Sequence, residues 1–142
     1  MPVYISRICI VLSLYPEIKM NMDSKKNVLL VEDAKMIQDR LKCMLEKSPK
    51  LGTLYIAGNY EEAREVLSHQ WIDLAILDIN LPGRSGIEVL RYIKKEFGHV
   101  HAIMLTNEWA GVYRRMCLEL GAEQFFDKSS DFNKIAQFLE EL

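Results

Sequence analysis

The chain has 142 residues, 49% hydrophobic and 27% charged, with a formal net charge of −2 at pH 7. That length suits one domain burying roughly two-thirds of its unfolded surface, and so weak an acidic balance gives no electrostatic footprint for nucleic acid or an anionic membrane. The three cysteines, Cys9, Cys43 and Cys117, are far apart and form no Cys-x-x-Cys pair, so they read as reduced thiols and not as a disulfide frame or zinc site.

Residues 1–25 stand apart from the pattern that follows. Ile8 to Leu14 is apolar except for Ser13, but a spanning helix needs about 20 such residues. Arg7 before this run faintly resembles a signal peptide, yet no small-residue cleavage pattern is clear. The preferred reading is a disordered or loosely packed extension, with Met20 or Met22 as an alternative start. From Lys26 the chain alternates strands and helices. Asn27 to Val31 is a buried strand ending on Glu32-Asp33, and Ile37, Leu41, Met44 and Leu45 follow at helical spacing. Pro49 and Gly52 break the chain before a weaker strand, Thr53 to Ala57. Glu61 to Ser68 is helical, with Ala63, Val66 and Leu67 turned inward.

Leu74 to Leu77 is wholly apolar, as a parallel strand covered on both faces requires, and it ends on Asp78. Pro82, Gly83 and Gly86 mark a turn. Ile87, Leu90, Ile93 and Phe97 then stripe a helix, with Gly98 as its C-terminal glycine. His101 to Leu105 forms a fourth strand ending on Thr106. The next helix predicts Trp109, Val112, Met116 and Leu120 as its inner face and Gly121 as its stop. Gln124 to Asp127 is a fifth strand ending on Lys128. Ser129, Ser130 and Asp131 offer capping side chains to a last helix carrying Phe132, Ile135, Ala136 and Leu139 inward. Five strands alternating with five helices predict an α/β fold, a doubly wound parallel sheet covered on both faces.

In such a sheet the strands point one way, so their carboxyl ends share the edge where ligands bind. Glu32-Asp33, Asp78, Thr106 and Lys128 therefore converge. Singly, each has an ordinary reading: a helix-dipole charge, a turn cap, a packing hydroxyl, a solvated lysine. Together they do not. Gathered carboxylates repel unless a cation is near, and a hard cation such as magnesium takes oxygen ligands. Carboxylate, cation, ammonium and hydroxyl suit phosphoryl transfer onto a carboxylate.

The motifs Val31-Glu32-Asp33, Leu77-Asp78-Ile79-Asn80-Leu81-Pro82-Gly83-Arg84-Ser85-Gly86, Leu105-Thr106-Asn107 and Phe126-Asp127-Lys128, in this order and spacing, resemble the receiver domain of two-component response regulators. The likeness is to the single-domain, chemotaxis-regulator-like kind and spans residues 26–142. It implies a flavodoxin-like sheet of order 2-1-3-4-5. It also implies that Asp78 accepts a phosphoryl group from a sensor histidine kinase or phosphotransfer protein. Magnesium or manganese would be held by Asp33, Asp78, the backbone carbonyl of Asn80 and, through water, Glu32. Thr106 and Lys128 would hold the phosphoryl oxygens, and Phe125 would turn inward when Thr106 moves. Asn80 and Glu108 fall where the family tunes phosphoryl lifetime.

Some positions depart from the family pattern. The acid pair is Glu-Asp, not the commoner Asp-Asp. Asn107 stands where most relatives carry a small residue, which predicts narrower access, whereas Asn80 with Glu108 resembles fast-hydrolysing members. The two signals oppose each other. The switch aromatic is Phe125 where some relatives have Tyr, so it offers no phenolic hydrogen bond. The chain ends just after the fifth helix, so the expectation is a cytoplasmic switch and not a turnover enzyme, passing its signal to a downstream protein. The surface of the fourth helix, fifth strand and fifth helix would carry it, with Tyr113, Arg114 and Arg115 exposed. Two other classes remain: an interaction module with the fold but no chemistry, and a phosphohydrolase of the haloacid dehalogenase type. The latter would need an acid where Asn80 stands.

Overall fold

The structure is a computed structural model, and it describes residues 25–107 and 111–142. The expected N-terminal extension therefore falls outside the described residues, apart from Lys25, as do Glu108 and Trp109. The elements run β1 (Lys26–Val31), α1 (Lys35–Leu45), β2 (Leu51–Ala57), α2 (Tyr60–His69), β3 (Leu74–Asp78), α3 (Gly86–Glu96), β4 (His101–Thr106), α4 (Gly111–Glu119), β5 (Gln124–Asp127) and α5 (Phe132–Glu141). All neighbouring strands pair parallel, in the order β2-β1-β3-β4-β5. This is the predicted doubly wound, flavodoxin-like sheet.

Successive side chains of the central strands point to opposite faces, and both faces are apolar. Val28 and Leu30 of β1 pack with Leu41 and Leu45 of α1 and with Ile135 and Leu139 of α5. Leu29 and Val31 pack with Leu67 of α2, Leu90 and Ile93 of α3, and Cys117 of α4. Two helices thus cover one face and three the other. Every residue of β3 is buried, so that strand is held rigidly between neighbours, and its tip is a fixed place for a side chain.

Several local expectations need correction. Gly52 lies within β2, where an added Cβ would come 2.7 Å from Asn27 Oδ1. That oxygen accepts from the Thr53 N–H at 3.0 Å, beside the register shift between Lys26 and Val28. The glycine admits a side chain between strands and does not break the chain. Gly98 lacks the left-handed backbone of a C-terminal glycine, and Phe97 is the C-cap of α3. Gly121, at φ 106°, does stop the chain after α4 as predicted. Val112 is not inward: it is 74% exposed, and Cys117 is the buried residue of α4. Asp131 occupies the N-cap of α5 without a capping bond. Its Oδ2 instead accepts from the Asp127 N–H at 2.8 Å, while Asp127 Oδ1 accepts from the Ser129 N–H at 2.7 Å. These side chains tie the chain after β5 into a turn.

Candidate functional site

The site is assembled by strand register. Val31 pairs with Leu77, Asp78 with Leu105, and Thr106 with Asp127. Glu32 and Lys128 each follow the last residue of their strands, so four strand ends deliver Glu32-Asp33, Asp78, Thr106 and Lys128 to one edge. The local sequence keeps them there. Glu32 is 1% exposed, its Oε1 accepts from the Ala34 N–H at 3.0 Å, and its carbonyl accepts from Gln38 Nε2 at 2.6 Å. Gly86 opens α3 directly against Asp78: a Cβ there would lie 1.8 Å from the Asp78 carbonyl oxygen. Only glycine lets that helix start so close to the strand tip.

Charge sets the character of the site. Asp78, 3% exposed, lies 3.0 Å from Lys128 Nζ through Oδ2, while its Oδ1 accepts from the Asn80 N–H at 3.3 Å. The turn-capping role considered for this aspartate is thus present, but it occupies one oxygen and is weak. Lys128, 8% exposed, also reaches Glu32 Oε2 at 2.5 Å. That oxygen is buried, and the Lys128 ammonium is what balances it. Carboxylate oxygens of Glu32, Asp33 and Asp78 all lie within 4.8 Å of one another. Burial pushes the Asp78 carboxyl up to about 6; the Lys128 hydrogen bond opposes this and Glu32 adds to it. Desolvation works against the Lys128 charge, but its bonds to Glu32 and Asp78 outweigh it and hold the ammonium above its ordinary value.

One lysine is therefore shared by two buried acids, with a third, exposed acid beside them. The donor set, three carboxylates with all-oxygen ligand atoms within 4.8 Å of one another and one lysine between two of them, fits a hard divalent cation. Thr106 is buried at 2% exposure, and its carbonyl accepts from the Lys128 N–H at 3.0 Å. Asn80 is exposed beside Asp78. Phe125 is half-buried and packs on the α2–α4 side of the sheet. Tyr113, Arg114 and Arg115 are exposed, as expected. Gln38 and the contact role of Gly86 went unread in the sequence. A glutamine in a helix carries no signal of its own, whereas a glycine at the start of an apolar stripe is a usable one.

The chain matches the response regulator receiver domain family over residues 28–140. It belongs to that family. Among solved structures, this receiver domain is similar to a LuxR-family two-component response regulator from Aurantimonas sp. SI85-9A1. The two are 25% identical with a TM-score of 0.77, over 83% of this chain and 84% of that one. A CheY-like receiver domain protein from Methanospirillum hungatei JF-1 is 26% identical with a TM-score of 0.75, over 83% and 93%. The Mn(2+)-bound form of response regulator Rcp1 is 26% identical with a TM-score of 0.69, over 82% and 90%. Membership of the family implies phosphoacceptor signalling.

Proposed function

We propose that this receiver domain is a cytoplasmic phosphoacceptor switch in which Asp78 takes a phosphoryl group from a histidine kinase or phosphotransfer protein. The observation that carries it is the convergence of Glu32, Asp33 and Lys128 on a buried Asp78 at the carboxyl edge of the sheet. Glu32, Asp33, Asp78 and the Asn80 carbonyl would hold Mg2+ or Mn2+, which supplies positive charge against the phosphoryl oxygens. The manganese-bound Rcp1 structure supports that choice of ion. No helix of the described residues is long and apolar enough to cross a membrane.

In the transfer, an Asp78 carboxylate oxygen forms the new bond to phosphorus. The bond from phosphorus to the donor's imidazole nitrogen breaks, and that nitrogen keeps the electron pair. Lys128 lies against Asp78 already, so its ammonium stabilises charge on the phosphoryl oxygens without rearrangement. The Thr106 hydroxyl supplies a further donor. Asn80 and Glu108 tune how long the phosphoryl group survives. The protein itself performs acceptance and slow self-dephosphorylation but no turnover of a separate substrate. Phosphorylation draws Thr106 toward the phosphoryl group, Phe125 follows, and the face of α4, β5 and α5 changes for a downstream protein partner. Differential contact with the phosphoryl group in the two states is what biases such an equilibrium.

The test is transfer of label from acetyl phosphate with magnesium, followed by mapping of the labelled residue. Wild type takes up label at Asp78, and Asp78→Asn takes up none. Uptake by Asp78→Asn at the wild-type level would overturn the assignment.

A further inference from the structure

The loop between β3 and α3 carries a proposed cation ligand, the Asn80 carbonyl; Ile79 and Leu81 on either side of it pack with the core, whereas the residues from Pro82 to Arg84 are exposed. Its neck is closed by the Gly86 N–H donating to the Ile79 carbonyl at 2.9 Å, and the Leu81 N–H donates to the same carbonyl at 3.1 Å. Among the described residues these bonds stay within the loop. Pro82, Gly83 and Arg84 are exposed, and Gly83 has a φ of 77° with open space where a side chain would stand. Arg84 nevertheless reaches α2. Its guanidinium carbon lies 3.8 Å from the centre of the Tyr60 ring, and its Nε lies 3.5 Å from Glu88 Oε2, one turn along its own side of the loop.

The two halves of this contact differ in rigidity. Tyr60 is the first residue of α2, 6% exposed, and its ring meets Tyr92 of α3 at 5.9 Å. The helix start is fixed by Asn59, whose Oδ1 accepts from the Glu62 N–H at 2.9 Å. Arg84 lies in the exposed second half of the loop, four residues beyond Asn80. An arginine stacked on a fixed aromatic face therefore ties the exposed half of the loop to α2.

We propose that Arg84 is a positioning residue: stacked on Tyr60, it clasps the loop carrying Asn80 and thereby raises the affinity of the acid site for a divalent cation. The inference rests on the reading of Glu32, Asp33, Asp78 and Asn80 as the cation site. Where only the clasped loop presents its carbonyl to the ion, apparent affinity scales with the clasped fraction. Losing the stack lowers that fraction. Simple electrostatics predicts the opposite sign, because removing a positive charge from the chain should, if anything, tighten cation binding.

The experiment measures Mn2+ binding to the full chain by electron paramagnetic resonance, with melting temperature recorded for each variant. Arg84→Ala should weaken binding about three-fold, in line with a partly exposed cation–π contact, at an unchanged melting temperature. Tyr60→Phe, which keeps the ring, should bind as wild type, and Arg84→Lys should fall between wild type and Arg84→Ala. Unchanged or tighter binding in Arg84→Ala overturns the clasp. Asp78→Asn separates the two readings. If it binds Mn2+ as wild type does, the cation site itself is wrong; if it binds weakly while Arg84→Ala is unaffected, only the clasp fails.

Discussion

The two ends of the sheet use the same residue types to opposite effect. At the amino end, Asp73 Oδ2 accepts from the Asn27 N–H at 2.8 Å and Oδ1 from Trp71 Nε1 at 3.1 Å, while Asn27 Nδ2 donates to the Trp71 carbonyl at 3.0 Å. His101 Nδ1 lies 2.9 Å from Glu123 in an exposed pair. Each acid there has its own local donors and water close by. At the carboxyl end, Glu32 and Asp78 are buried, share Lys128, and face Asp33. An isolated buried charge is costly, so a group of acids left short of positive partners is held ready for an added cation. The amino end is a finished network that fastens strands; the carboxyl end is an unfinished one that waits for ligands.

That contrast breaks first at Lys128. Lys128→Met should slow phosphorylation from acetyl phosphate by about 100-fold, the usual cost of removing one preorganised charge-stabilising donor. Label uptake within ten-fold of wild type would mean that the lysine only balances charge. A smaller effect concerns pH. Asp78 is pushed up to about 6 from an ordinary 3.8, so the folded state holds its proton more tightly than the unfolded chain does. Its contribution to stability is then greatest below pH 3.8 and is lost as pH rises through 6. Asp78→Asn removes this dependence. Denaturant unfolding in chelator should show the variant gaining on wild type by about 2 kcal/mol between pH 4 and pH 7, and added magnesium should shrink the gap by binding folded wild type. A gap that does not change with pH would contradict the burial of this carboxyl.

At the amino end the expected losses are of stability alone. Asp73→Ala strands the Asn27 N–H and frees Trp71, which should cost about 1–2 kcal/mol in denaturant unfolding. Mn2+ affinity should stay as in wild type. Breaking the exposed His101–Glu123 pair with Glu123→Gln should cost less than about 1 kcal/mol. Altered cation binding in either variant would show the two ends to be coupled, against the division drawn above.

Much of this was legible in the chain itself, because burial on both faces leaves a plain signature. The apolar runs of β1, β3 and β4 stop abruptly on polar residues, and parallel topology sends all those stops to one edge. The sequence alone therefore places Glu32, Asp78, Thr106 and Lys128 at that edge. The misreadings share a different cause. Val112 continues a helical spacing whose later members, Met116 and Leu120, do pack against the core, but Val112 stands in the first turn of α4 and is left exposed. Gly98 and Gly52 were read as punctuation, whereas Gly52 makes room for the Asn27 side chain. Gln38, the Gly86 approach and the Arg84–Tyr60 stack depend on which loops meet across the sheet edge, and linear spacing does not encode that.

The ladder pairing of Asp78 with Leu105 and of Thr106 with Asp127 has a consequence for how the protein can vary. The site is kept by counting residues along strands, so it should tolerate exchange of one core aliphatic for another of like volume. It should not survive the deletion or insertion of a single residue within β3 or β4. A slip of one position turns every following side chain to the opposite face, which would bury the Thr106 hydroxyl among the helices or send Asp78 into the core. Length changes should therefore be confined to the turns at the amino end, where a miscount would not reach the phosphoacceptor.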